Sequence, residues 1–267
     1  MEAPPVRSTL PRTCQNHNRH PNTPPGLGFA AAEAALEQGC TIIISSSRQS
    51  RLDDAVSRLQ KSYPSLKDKV SAHACSLSDE SSLESNIEAL YAFATSNGSQ
   101  KLDHIIYTAG DPLAMMKIET ADLAKIKQAG MVRFFGPLIV AKLAPKFLNP
   151  GPKSSITLTT GSVSQKPRPD WSVVASFATG LHGMTRGLAL DLKPIRVNLI
   201  SPGAVETELW DALPADKREA MFKSTAAAVP TGVLGKPEDV AETYIYCMRD
   251  HNVTGTVISS NSGALLI

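Results

Sequence analysis

The 267-residue chain carries 27 Lys and Arg against 25 Asp and Glu, so its formal charge of +2 gives no basis for a charge-driven nucleic-acid binder. A hydrophobic share of 42% supports a sizeable core, and no apolar run approaches the ~18 residues that span a bilayer, so no membrane span is expected. Four cysteines (Cys14, Cys40, Cys75, Cys247) show no CxxC pairing, and the N-terminus lacks a charged start followed by an apolar stretch; the expected compartment is cytoplasmic.

From residue 26 onward, short β-branched runs alternate with longer stretches at helical spacing. That is the pattern of repeated βα units around a parallel sheet. In chain order the strands are expected at Thr41–Ser45, Val70–Cys75, His104–Thr108, Ser155–Thr160, Ile195–Ile200 and Thr254–Ser259. Helices are expected at Gly28–Gln38, Arg51–Ser62, Asp79–Thr95, Ala121–Phe147, Val173–Leu192 and Pro237–Asp250. The last opens on a proline followed by two acids, which suits a helix N-terminus. No internal repeat or linker divides the chain, so the expected fold is one α/β domain, a Rossmann-like doubly wound parallel sheet spanning 23–267.

Residues 1–22 break the pattern. Between Met1 and Pro25 the only branched aliphatics are Val6 and Leu10, set among prolines and the polar run Cys14 to His20. Such a segment cannot make a buried parallel strand, so it is expected to be disordered and the first strand of the sheet to be missing or degenerate. His17 and His20 have no thiolate or carboxylate at ligand spacing, and no metal site is expected.

Gly26-Leu27-Gly28 opens the first helix, and about twenty residues later a strand ends at Ser45-Ser46-Ser47-Arg48. Glycines in that place let a backbone approach a pyrophosphate seated on the helix N-terminus, while residues after the next strand meet the ribose. A tight helix entry explains the same glycines, so this signal stays open by itself. Further along the chain come Thr108-Ala109-Gly110 at a strand end, a Thr/Gly/Ser run from Thr159 to Ser164, and Arg196-Val197-Asn198-Leu199-Ile200-Ser201-Pro202-Gly203-Ala204-Val205-Glu206-Thr207.

With these segments the chain resembles the short-chain dehydrogenase/reductase family over about residues 22–267. The resemblance implies a nicotinamide cofactor held by Gly26, Leu27 and Gly28, by Ala109 and Gly110, and by Pro202, Gly203, Val205 and Thr207. In place of the acid that binds the 2′-hydroxyl of NAD, Ser47 and Arg48 offer a hydroxyl and a guanidinium suited to a 2′-phosphate, which implies NADP(H). A solvated loop charge is the other reading of Arg48.

Several positions depart from the family. Its catalytic Tyr-x-x-x-Lys falls on Val174 and Ala178, neither of which can donate or accept a proton. Its serine falls on or beside Ser162, and the asparagine of its long helix falls on Arg133, a permanent positive charge. The first glycine of its glycine loop is Asn22, and Ser76 replaces an aspartate that commonly contacts adenine. A divergent, fungal secondary-metabolism-like branch is similar in carrying Val and Ala at the Tyr and Lys positions, and in an arginine paired with an aspartate beside a tryptophan. That pairing assigns Arg133 and Asp170 to the site with Ser162; a turn anchored by Trp171 explains Asp170-Trp171 equally.

Two functions are compatible with these residues. One is an NADP(H)-dependent reductase giving hydride to a small-molecule C=O or C=N group, the iminium needing no proton. The other is a non-catalytic relative acting as a binding or oligomer partner, or a defective gene product. The family packs its two long helices, here 121–147 and 173–192, against a second subunit, so a homodimer or homotetramer is expected.

Overall fold

The computed structural model describes residues 26–211 and 213–267. The expectations for residues 1–22, including a disordered segment and histidines without a metal, lie outside the described residues.

Among the described residues, six strands and eight α-helices follow in chain order. They are α1 (Leu27–Glu37), β1 (Ile42–Ser46), α2 (Gln49–Ser62), β2 (Val70–Ala74), α3 (Leu83–Ala94), β3 (His104–Ile106), α4 (Leu123–Gly130), α5 (Gly136–Leu143), β4 (Ser155–Thr159), α6 (Ser172–Asp191), β5 (Arg196–Pro202), α7 (Ala215–Ala228), α8 (Pro237–Arg249) and β6 (Val257–Ser260). All pairings are parallel, as the βα alternation predicts, and they form two ladders, β1–β2 and β3–β4–β5–β6. Strands β1 and β3 each pair on one side only, and among the described residues no strand joins the two ladders. This is where the sequence lacks an apolar run for a first strand.

Strand β5 is buried over its full length because sheet neighbours flank both edges and helices cover both faces. The two-residue period of a strand divides its side chains. Val197 and Leu199 join the core under α3, α5 and α6, and Ile200 joins Ala31, Val240 and Tyr244 on the α1 and α8 side. Arg196, also buried, donates to the carbonyls of Pro152 at 2.5 Å and Cys247 at 2.6 Å, which satisfies its charge without an acidic partner.

The expected helix 121–147 is not continuous. A π-helical turn, Met131–Phe135, separates α4 from α5, and a short 3-10 turn, Ala144–Lys146, follows. Pro137 has no amide hydrogen to give the Arg133 carbonyl four residues earlier, so the α-helical ladder is broken at this point. Helix α7 was not anticipated: none of its side chains is buried, so its sequence has no apolar stripe to read. Among the described residues no helix is long and apolar enough to cross a membrane.

Candidate active site

The carboxyl ends of β3, β4, β5 and β6 and the N-terminus of α1 open on one cavity of about 940 Å³. In a doubly wound sheet this is the side on which ligands bind, because the loops leaving the strands and the helix N-termini converge there.

The turn after β5 is held tightly. A Cβ placed on Gly203 would lie 2.8 Å from the Asn261 Cα, so the Pro202-Gly203 turn meets the end of β6 at a separation open only to glycine. Val205 O accepts from Trp210 Nε1 at 3.0 Å, and Glu206 N donates to Gly235 O at 3.0 Å. Pro202, Gly203, Val205 and Thr207 all line the cavity. At the other side of the opening Gly26 and Leu27 line it, whereas Gly28 packs so closely on the segment that leaves β3 that a Cβ would sit 2.5 Å from Thr108 Oγ1. Gly110 lines the cavity and Ala109 is exposed beside it, outside the wall. Ser47 and Arg48 are exposed at the start of α2, also outside the wall. Arg51, in the first turn of α2, is the basic residue of this region that the structure brings to the cavity. One group works against a phosphate here: Glu208 Oε1 lies 3.1 Å from where a Gly26 Cβ would be.

The wall at the far end contains Ser162, Val174, Ala178, Trp171 and Phe177. Val174 and Ala178 lie one helical turn apart on α6, so the cavity has an apolar surface at the two positions where the resemblance places a phenol and an ammonium. Ser162 opens a 3-10 turn after β4, anchored where Thr179 Oγ1 donates to Ser164 O at 2.7 Å. Arg133 projects from the π-helical turn, a distortion that occurs frequently at functional sites. Its Nε donates to Asp111 O at 3.1 Å and its Nη2 donates to the same carbonyl, with the guanidinium lying over Gly110. Asp111 also lines the cavity, and its Oδ1 is buried with no hydrogen-bond partner. Burial pushes its carboxyl above the ordinary range, and its own main-chain N–H and, less strongly, the Arg133 charge pull the other way.

Of the site residues expected from sequence, Ser162 and Arg133 share this wall and Asp170 does not. Asp170 is exposed, has a φ of 64°, and gives only its main-chain oxygen to Met116 N at 3.1 Å. Its neighbour Trp171 does enter the wall, under Arg168, whose guanidinium lies 5.7 Å from the ring centroid. Sequence reasoning missed Arg51 and Asp111. The i+3 spacing from Arg48 signalled the first; nothing periodic marked the second.

An SDR-like Rossmann domain model matches residues 22–267. The chain belongs to the short-chain dehydrogenase/reductase family. It is 41% identical over 246 residues to the short-chain dehydrogenase/reductase fsr5 of Gibberella fujikuroi, covering 90% of this chain and 91% of that one. It is 38% identical to the short-chain dehydrogenase/reductase malC of Malbranchea aurantiaca, over 90% of this chain and 91% of that one. The solved structure of the MalC reductase/Diels-Alderase from that organism superposes with a TM-score of 0.85, covering 91% of this chain and 93% of that one. A small-chain dehydrogenase solved in complex with NADPH is 32% identical, with a TM-score of 0.67 over 74% of this chain and 87% of that one.

Proposed function

We propose that this family member is an NADP(H)-dependent oxidoreductase that gives hydride to a C=O or C=N carbon of a small molecule, in cytoplasmic secondary metabolism. The observation that carries the reading is the single cavity, which joins the α1 glycine turn, the Pro202–Thr207 turn and the Ser162, Arg133 and Asp111 end. The residues fit the cofactor: Gly26 and Leu27 at the α1 N-terminus and the Pro202–Thr207 turn line one cavity, and Arg51 with Arg48 and Ser47 supplies a basic surface after β1. When bound, NADP(H) supplies the hydride. Gly26 and Leu27 hold its pyrophosphate, and Ala109, Gly110, Pro202, Gly203, Val205 and Thr207 its nicotinamide end.

At the reacting end, the apolar surfaces of Val174 and Ala178 exclude water and offer no proton. Ser162 orients a substrate oxygen or nitrogen through its hydroxyl, and Arg133, fixed by the Asp111 carbonyl, keeps a positive field there. Asp170 has no part in this reading. The groove formed by Phe134, Leu138, Gly180, Met184 and Leu188 on the outer face of α5 and α6 supports pairing of two copies.

The test is a fluorescence titration. Trp171 and Trp210 line the cavity, so NADPH is expected to quench them, and more tightly than NADH. Absence of quenching by either nucleotide overturns the cofactor assignment and leaves a non-catalytic binding partner. Light scattering reads the oligomer: a homodimer or homotetramer is expected.

A further inference from the structure

Three side-chain carboxyl groups line the cavity: those of Asp111, Glu208 and Asp211. Asp211 Oδ1 accepts from Arg218 Nη1 at 2.6 Å, and Glu208 lies against Gly26 at the glycine turn. Asp111 is engaged by neither arrangement. Its main-chain oxygen holds the Arg133 guanidinium, while its side-chain Oδ1 is buried without a partner. A buried acceptor with nothing to accept from is costly, and native proteins keep few of them outside sites of function.

A reductase acting on a carbonyl needs a proton for the oxygen, and the described cavity wall contains no histidine, tyrosine or cysteine. Its arginines do not release protons. Lys166 points its Nζ to Ala264 O at 3.4 Å.

We propose that the Asp111 carboxyl is the general acid of this cavity, giving its proton to a carbonyl oxygen in place of the phenol absent at Val174. The proposal rests on the reductase reading above. In the step, the carbonyl carbon accepts hydride from the dihydronicotinamide, which is oxidised to the pyridinium. The π-bond electrons move to the carbonyl oxygen, the oxygen takes the Asp111 proton, and the carboxylate regains a proton from water. The charged and titratable groups facing Asp111 are Arg133, from the π-helical turn, and Tyr107, from the end of β3. Tyr107 is committed elsewhere, donating its hydroxyl to Val132 O at 2.5 Å. Arg133 stabilises the carboxylate that remains after transfer. Burial opposes that charge and keeps the carboxyl a weaker acid than a surface aspartate, so it holds a proton nearer neutrality.

Two measurements test this. In cofactor-free protein labelled with carbon-13 at aspartate carboxyls, one resonance is expected to titrate above the ordinary aspartate range and to disappear in Asp111→Asn. With NADPH and phenanthrenequinone as the carbonyl probe, Asp111→Asn is expected to lower kcat by about 100-fold, with Asp111→Glu recovering part of it. The rate on the quinone should fall as pH rises through the titration seen by NMR. An N-methylated cyclic iminium needs no proton, so Asp111→Asn should lower its reduction far less than that of the quinone, and an unshifted circular-dichroism melting curve reports an intact fold. Titration in the ordinary range, unchanged quinone reduction, or equal losses on both probes would overturn the proposal. Reduction of the iminium alone by the wild type overturns it and leaves the reductase reading standing. Reduction of neither probe by wild type that binds NADPH overturns both.

Discussion

The two ladders of the sheet are built to different standards. In β3–β6 the central strand β5 is buried at every residue and β4 at all but its last, with core side chains on both faces. In β1–β2 only Ile42 and Val70 are buried, and the ladder relies on α1, α2 and the α8 residue Ile245 for its apolar cover. The first ladder carries the reacting end of the cavity, and the second carries the surface assigned to the cofactor phosphate. The difference teaches that the Ser162 end of the cavity stands on the more deeply buried ladder, so changes in one half should be read in stability and changes in the other in nucleotide binding.

The sharpest way to break that comparison is Leu199→Ala against Ile43→Ala. Leu199 is fully buried in β5, and its truncation should cost about 2–5 kcal/mol in urea unfolding, whereas half-buried Ile43 should cost roughly 1 kcal/mol. Equal losses would mean the two ladders are one cooperative unit of even strength. Next in size, Val174→Tyr with Ala178→Lys, made in Asp111→Asn, puts a proton donor and its lysine partner back into the cavity wall on α6. Ketone reduction should rise by about 10²-fold over Asp111→Asn alone, measured as NADPH oxidation, with the melting temperature little changed.

A third test uses pH. Burial, against the pull of Asp103, lowers the His104 pKa from 6.5 to about 4, and His104 Nδ1 lies 2.9 Å from Ser155 Oγ across β3 and β4. The unfolded chain therefore takes up this proton first as pH falls. The stabilisation is complete above pH 6.5 and is lost on descending towards 4, amounting to about 1–3 kcal/mol. His104→Gln should flatten that part of the stability curve, and the change should be read from the β3–β6 half. The smallest effect is expected in the other half: Arg51→Ala should weaken NADPH binding by roughly 10-fold and leave NADH binding and unfolding unchanged, with Arg48→Ala the lesser of the two.

The strands were legible to within three residues at each end because β-branched runs in a two-sided sheet have no polar alternation to confuse them. Helix α1 and α6 were found for a related reason, an apolar face against the sheet. Pro137 stood in the sequence as a warning that 121–147 could not be one helix, and the apolar spacing around it concealed the π-helical turn. Ser162, Val174 and Ala178, reached by counting along the chain, lie in the cavity wall. Asp170 lies outside it, since neighbouring residues on a loop point different ways: Trp171 turns in while the left-handed backbone at Asp170 leaves that side chain exposed. Asp111 carries its meaning in what its carboxyl fails to touch, and no sequence pattern encodes an unpartnered oxygen.

Helix α7 lends Met221, Ser224, Thr225 and Ala228 to the cavity wall and buries none of its own side chains. Its amides should therefore exchange with solvent at a free-energy cost far below that of global unfolding, as a separate opening unit. In kinetic terms, opening of this one weakly held helix should run on a faster clock than any opening of the buried β4–β5 core beneath the Ser162 end.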